Sequence, residues 1–241
     1  YGHAEGNGTQ TLGLASHAEG FRTLAVGQSS HAEGWYSTSS GNFSHAEGRN
    51  TKALGQHSHA EGYECISIAS TSHAEGSETI AYGDSAHAEG SKTTASGSSS
   101  HSEGIRTVAI GQGAHSEGYK SVALGFCSHA EGGDSGDDIT GGYAIGVGSH
   151  AEGIGSISSG SFSHAEGQNT LTLGRSSHAE GLGTITNDNY QHVQGLYNLT
   201  SSTAGAFIVG NGSSNASRSN LMFAGGNNVE ITGSFFVKTL P

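Results

Sequence analysis

SHAEG occupies residues 16–20, and the same five letters return at 30–34, 44–48, 58–62 and 72–76. Reduced to His-x-Glu-Gly, the unit begins at His3, His17, His31, His45, His59, His73, His87, His101, His115, His129, His150, His164 and His178, and an altered copy, HVQG, begins at His192. The interval is 14 residues throughout, except for 21 between His129 and His150. A short fixed period is the signature of a solenoid. Fourteen residues are too few for two helices with a turn. They suffice for two short strands and two turns, one coil of a parallel β-solenoid.

Each unit has two halves of seven residues. One half is S-H-A-E-G-x-x. The other is T-x-A-x-G-x-x, as in TLAVG (23–27), TVAIG (107–111) and SVALG (121–125). Side chains alternate across a strand, so in the first half Ser, Ala and Gly share one face and His and Glu share the other. The small face must point into the coil, because the reverse would bury a histidine and a glutamate per rung. Stacking then extends the polar pair into two parallel columns. The columns comprise His17, His31, His45, His59, His73, His87, His101, His115, His129, His150, His164 and His178, with Glu19, Glu33, Glu47, Glu61, Glu75, Glu89, Glu103, Glu117, Glu131, Glu152, Glu166 and Glu180 two residues after them.

In the second half the alternate positions are mostly apolar, for example Leu24 and Val26, Ile66 and Ile68, Val108 and Ile110. This stripe must fill the coil interior or pack against other chains. The turn after His-x-Glu-Gly carries Phe21, Trp35, Tyr36, Tyr63 and Tyr119, which predicts a variable exposed rim.

Composition supports an ordered array. Glycine accounts for 41 of 241 residues and falls in register with the repeat. The net charge of −12 belongs to the motif glutamates, and no basic patch suggests nucleic acid as a partner. No apolar run reaches membrane-span length, so no membrane insertion is expected. Cys65 and Cys127 lie too far apart for a bridge and read as small packed residues. The chain starts inside a rung without an initiating Met, as expected of a fragment or a processed product.

The paired half-repeats at TVAIG and SVALG resemble the head repeats of trimeric autotransporter adhesins, the YadA-like heads, over about residues 1–195. That resemblance implies a left-handed parallel β-roll, three chains side by side, and attachment to host surfaces. The segment AFIVGNGSSNASRSNLMFAGGNNVEITGS (206–234) resembles the part of phage tail-fibre and tailspike proteins that precedes a self-cleaving intramolecular chaperone. The fold expected is therefore all-β, a homotrimeric β-roll of 14-residue coils over 1–191, with a small C-terminal β cap over 192–241. The function expected is a rigid structural segment of a phage tail fibre, with a bacterial surface adhesin head as the alternative. Either places it outside the cell, on a virion or a bacterial surface, with a receptor or glycan as partner.

Other chemistry is weakly supported. His-x-Glu lacks the Pro-Cys-x-x-Cys partner of zinc deaminases, and thirteen copies do not make one active site. There are no paired acids outside the repeat for a polysaccharide-degrading spike, and Thr-x-Thr pairs are too scattered for an ice-binding face. No cofactor is expected. Asp134, Asp137 and Asp138, in the seven-residue insertion at about 133–139, are weak calcium candidates that fit no known loop spacing. The columns themselves are expected to be structural, with His and Glu paired across subunits and the imidazole held charged by its glutamate neighbours; an outer-surface ladder within each chain is the alternative, and a column near a threefold axis could also bring three imidazoles onto a metal.

Overall fold

The computed structural model describes residues 1–133 and 141–234. The insertion carrying Asp134, Asp137 and Asp138 lies outside the described residues. The chain divides into two compact units, Tyr1–Cys127 and Ser128–Pro241. Both are all-β, and no helix occurs among the described residues.

In the first unit, His17–Phe21, His31–Trp35, His45–Arg49, His59–Tyr63 and His73–Ser77 are successive strands of one parallel sheet. They stack without stagger: His17 pairs with His31, Ala18 with Ala32, Glu19 with Glu33 and Gly20 with Gly34. A second parallel sheet holds two-residue strands such as Leu24–Ala25, Thr38–Ser39 and Ile66–Ser67. Its strands are short because the ladder closes on itself. The amides of Val26 and Gly27 both reach the Ser39 carbonyl, at 2.8 and 3.4 Å, and the chain then turns.

The coil interior is built of small residues from both halves. Ser16, Ala18, Thr23 and Ala25 are buried, and later rungs repeat the set. Many serine hydroxyls are satisfied locally, whereas the Oγ1 atoms of Thr23, Thr51, Thr79 and Thr93 are buried without a hydrogen bond. Ser44 Oγ donates to the Gly41 carbonyl at 2.6 Å and lies 2.6 Å from Ser39 Oγ. Space inside is so limited that a Cβ on Gly41 would sit 1.8 Å from the Gly55 carbonyl oxygen. The apolar positions of the second half therefore face outward, which resolves the alternative left open by the sequence: Val26, Leu54, Ile110 and Leu124 are all exposed.

Both turns of each coil contain a left-handed residue, and most of these are not glycine. Arg22, Tyr36 and Asn50 have φ of 53°, 56° and 57°, and Ser29, Phe43 and His57 have 52°, 59° and 57°. Such conformations cost about 1 kcal/mol for a residue with a Cβ. Each is compensated by a rung-to-rung bond from its own amide, such as Tyr36 N to Phe21 O at 3.0 Å and Phe43 N to Gln28 O at 2.8 Å. Cys65 is buried in the interior as expected, but Cys127 occupies one of these exposed turns at φ 51°.

In the second unit, His129 pairs with His150 in the same parallel register, so the longer interval adds residues without shifting the columns. His150–Ile154, His164–Gln168, His178–Leu182 and His192–Leu196 follow. The strand Phe207–Asn211 then pairs in parallel with His192–Leu196, placing Phe207 beside His192 and Ile208 beside Val193. Asn220–Gly225 and Asn228–Ile231 complete an antiparallel meander within the chain. Val193, Ala206 and Ile208 form a larger core here, with Phe223 packed against it. Gln191 replaces the usual small interior residue. Its Oε1 accepts from Asn187 N and Asp188 N at 2.8 and 3.1 Å, and its Nε2 donates to the Ser201 and Thr203 carbonyls at 2.8 and 2.9 Å.

Candidate functional site

Every His-x-Glu pair lies on the outer face of the longer-stranded sheet, where in-register pairing turns pairs into columns. From His17 to His115 consecutive imidazoles stack with centroids 4.7–5.0 Å apart and planes within 11°. In the second unit, His129, His150, His164 and His178 stack at 4.6–4.8 Å. The stack ends at HVQG, where His192 tilts 46° to His178. His3 and Glu5 begin the array and are exposed.

Beside each imidazole stands its glutamate. His31 Nε2 lies 3.6 Å from Glu33 Oε2, His59 Nε2 3.7 Å from Glu61 and His73 Nε2 3.6 Å from Glu75. Some imidazoles sit between two rungs of carboxylate: His101 Nε2 is 3.7 Å from Glu89 and 3.9 Å from Glu103. His150 comes within hydrogen-bonding distance of Glu131, at 3.2 Å. The side chains are about two-thirds buried, because each is covered by its copies above and below.

The electrostatics run opposite to the sequence expectation for the imidazole. Burial, reinforced by the neighbouring imidazoles, pushes His45, His73 and His164 below the ordinary histidine value, and the glutamates oppose this only in part. The same lowering holds for His31, His101 and His192. A stack of rings at van der Waals spacing disfavours charge on all of them at once.

The carboxylates solve their crowding by sharing protons. Glu33, Glu61 and Glu89 are raised to about 7, chiefly because their protonated carboxyls hydrogen-bond to the next carboxylates in the column. Glu47 and Glu75, which accept those bonds, are lowered.

The rim is ordered too. The Phe21 and Trp35 rings lie 4.9 Å apart, tilted by 32°, the Arg22 guanidinium lies 5.4 Å from the Phe21 ring and 5.6 Å from Tyr36, and Arg49 lies 5.5 Å from Tyr63. Sequence reading found these aromatic residues but not their cationic partners. The signal was present in the spacing: Arg49 is 14 residues from both Trp35 and Tyr63, so register alone places it between them.

Among known families, the model described as YadA head domain repeat (2 copies) matches three segments, residues 18–44, 102–126 and 140–163. No match was found among curated proteins. The matched segments carry TLAVG, TVAIG and the SHAEG at 149–153, the two halves of the coil. Parallel coils of 14 residues, small interiors and these matches together support a YadA-like β-roll repeat fold.

Proposed function

We propose that the chain is the repeat region of a trimeric, adhesin-like head that acts outside the cell and presents its rim to a surface receptor or glycan. One observation carries the reading: the apolar stripe lies on the outer face of the coils. In the first unit it includes Ile110, 49 % exposed, and in the second Leu173, 46 % exposed. An apolar face repeated rung after rung needs a partner, and a second and third copy of the chain supply an identical periodic face at the same spacing. A coil interior of Ala, Ser and Gly buries little apolar area by itself, so association is also where stability is to be gained.

The phage tail-fibre reading rests on the resemblance of residues 206–234. The family match falls on the repeats and favours the bacterial adhesin alternative. A β-roll of this kind is typical of structural and adhesive proteins rather than enzymes. The aromatic and cationic rim at Trp35, Tyr36 and Arg49 is the surface left for recognition.

Light scattering of the intact chain tests the assembly. The expected mass is three times the 24.3 kDa chain. Replacing Ile110 and Leu124 by Asp should release monomers, while Trp35→Ala with Tyr36→Ala should keep the trimer and weaken attachment of labelled protein to cells. A monomeric mass for the folded wild-type chain would refute the assembly.

A further inference from the structure

The Nε2 atoms of His17, His31, His45, His59, His73, His87 and His101 are shut off from solvent, yet none makes a hydrogen bond. The same is true of His164 and His178 in the second unit. A buried polar atom without a partner is costly, and its recurrence on these nine rungs is systematic. What each Nε2 faces is carboxylate oxygen. His87 Nε2 lies 3.8 Å from Glu89, and His101 Nε2 lies between Glu89 at 3.7 Å and Glu103 at 3.9 Å. His164 Nε2 lies between Glu166 at 3.6 Å and Glu152 at 4.0 Å.

Two adjacent imidazoles cannot converge on one ion, because their planes are parallel and their in-plane lone pairs run side by side. One imidazole and the carboxylates flanking it can converge. Zinc bonded to nitrogen at about 2.0–2.1 Å and oxygen at about 2.0–2.2 Å sets N···O near 3.0–3.4 Å. The observed separations exceed that by a few tenths of an ångström, within reach of a glutamate side-chain rotation.

We propose that the His-Glu column binds divalent transition-metal ions of the zinc class, each held by one imidazole Nε2 and by the carboxylates of its own and the preceding rung. The sites alternate. A glutamate can serve two imidazoles, as Glu166 does for His164 at 3.6 Å and His178 at 3.7 Å, so neighbouring rungs compete for ligands. Dications on adjacent rungs would also stand only about 4.8 Å apart. Mixed imidazole and carboxylate donors select zinc, nickel, copper and cobalt over calcium and magnesium, which require oxygen-rich shells. The net charge of −12 attracts any of these cations, so selectivity rather than attraction is the diagnostic. The inference does not depend on the trimer, since every ligand comes from one chain.

The test is titration of the intact chain with zinc by calorimetry, with calcium in parallel, and with cobalt followed by its visible absorption. The expected result is several zinc ions per chain, about one per two rungs, at micromolar affinity. Calcium should bind at least tenfold more weakly, and cobalt should show the intense bands of a four-coordinate nitrogen and oxygen site. Combining Glu61→Gln, Glu75→Gln and Glu89→Gln should remove about two ions, and His57→Ala, outside the column, should remove none. On the unmodified protein, nitrogen NMR should show the column Nε2 resonances moving with zinc while those of His57 stay in place. Calcium binding equal to zinc, a single zinc site lost with His57→Ala, or uptake unchanged by the triple variant would overturn the proposal. If the triple variant does not fold, unmoved Nε2 resonances in the wild-type chain would overturn it equally.

Discussion

Replacing Glu61 by Gln should stabilise the protein in a pH-dependent way. Glu61 is raised to about 7 by hydrogen bonds from its protonated carboxyl to Glu75 and Glu47, then by burial and by the charges of those neighbours. In the unfolded chain it releases its proton near 4.5. The folded protein therefore holds the proton more tightly, and the stability this contributes, fully present below about 4.5, is lost as pH rises through about 7. Undiscounted, that difference corresponds to about 3 kcal/mol. The Glu61 side chain is 34 % exposed, and solvent screening reduces the effect to about 1 kcal/mol. Glutamine imitates the protonated acid at every pH, keeping a donor to Glu75 or Glu47 and no charge. Thermal melting at one protein concentration should thus show wild type and Glu61→Gln together near pH 4.5, and the variant about 2–4 °C higher at pH 8. The lowered histidines affect both proteins alike and cancel in the difference. A Tm difference that is constant with pH, or a variant less stable at pH 8, would refute proton sharing along the column.

Gly76→Ala should be severely destabilising, by about 3 kcal/mol or more, because φ is +107° and the new Cβ would meet the Gly90 carbonyl oxygen; denaturant melting checks this. Gln191→Ala removes four side-chain hydrogen bonds to part-buried backbone groups, and hydrogen exchange should quicken at residues 187–206 while the first unit is unchanged. Maleimide should label Cys127 in the native protein within minutes and Cys65 only on unfolding, as mass spectrometry of the two peptides would show.

The coil was legible because its period is short and its alternation strict. The placement of Ala18 inside and His17 outside followed from the cost of burying charge. The direction of Leu24 and Val26 did not follow, since either face of their strand could have been interior; packing space decided it, through glycines such as Gly27 and Gly41 that leave no room for a large side chain. The imidazole charge was misjudged for a related reason. One histidine beside one glutamate favours the charged form, but the eight rings stacked from His17 to His115 exchange water for one another, and that many-body burial is invisible in a single copy of the motif. The continuation of the parallel register into Phe207–Asn211 was hidden because AFIVG keeps only the small first position and the final glycine of SHAEG, and puts Ile208 where the repeat has Ala.

The in-register stacking of identical rungs also bears on how such a chain can change length. Because His31 meets His45 just as His17 meets His31, the fold has no address within the array. Duplicating or deleting one 14-residue block returns every later residue to an equivalent environment, with one rung of hydrogen bonds gained or lost. An insertion of one residue inside a strand would instead shift the alternation and turn the columns inward. Length is therefore a quantised, nearly neutral variable for this protein, open to rapid drift by recombination between near-identical blocks, while the cross-section of the coil is held fixed.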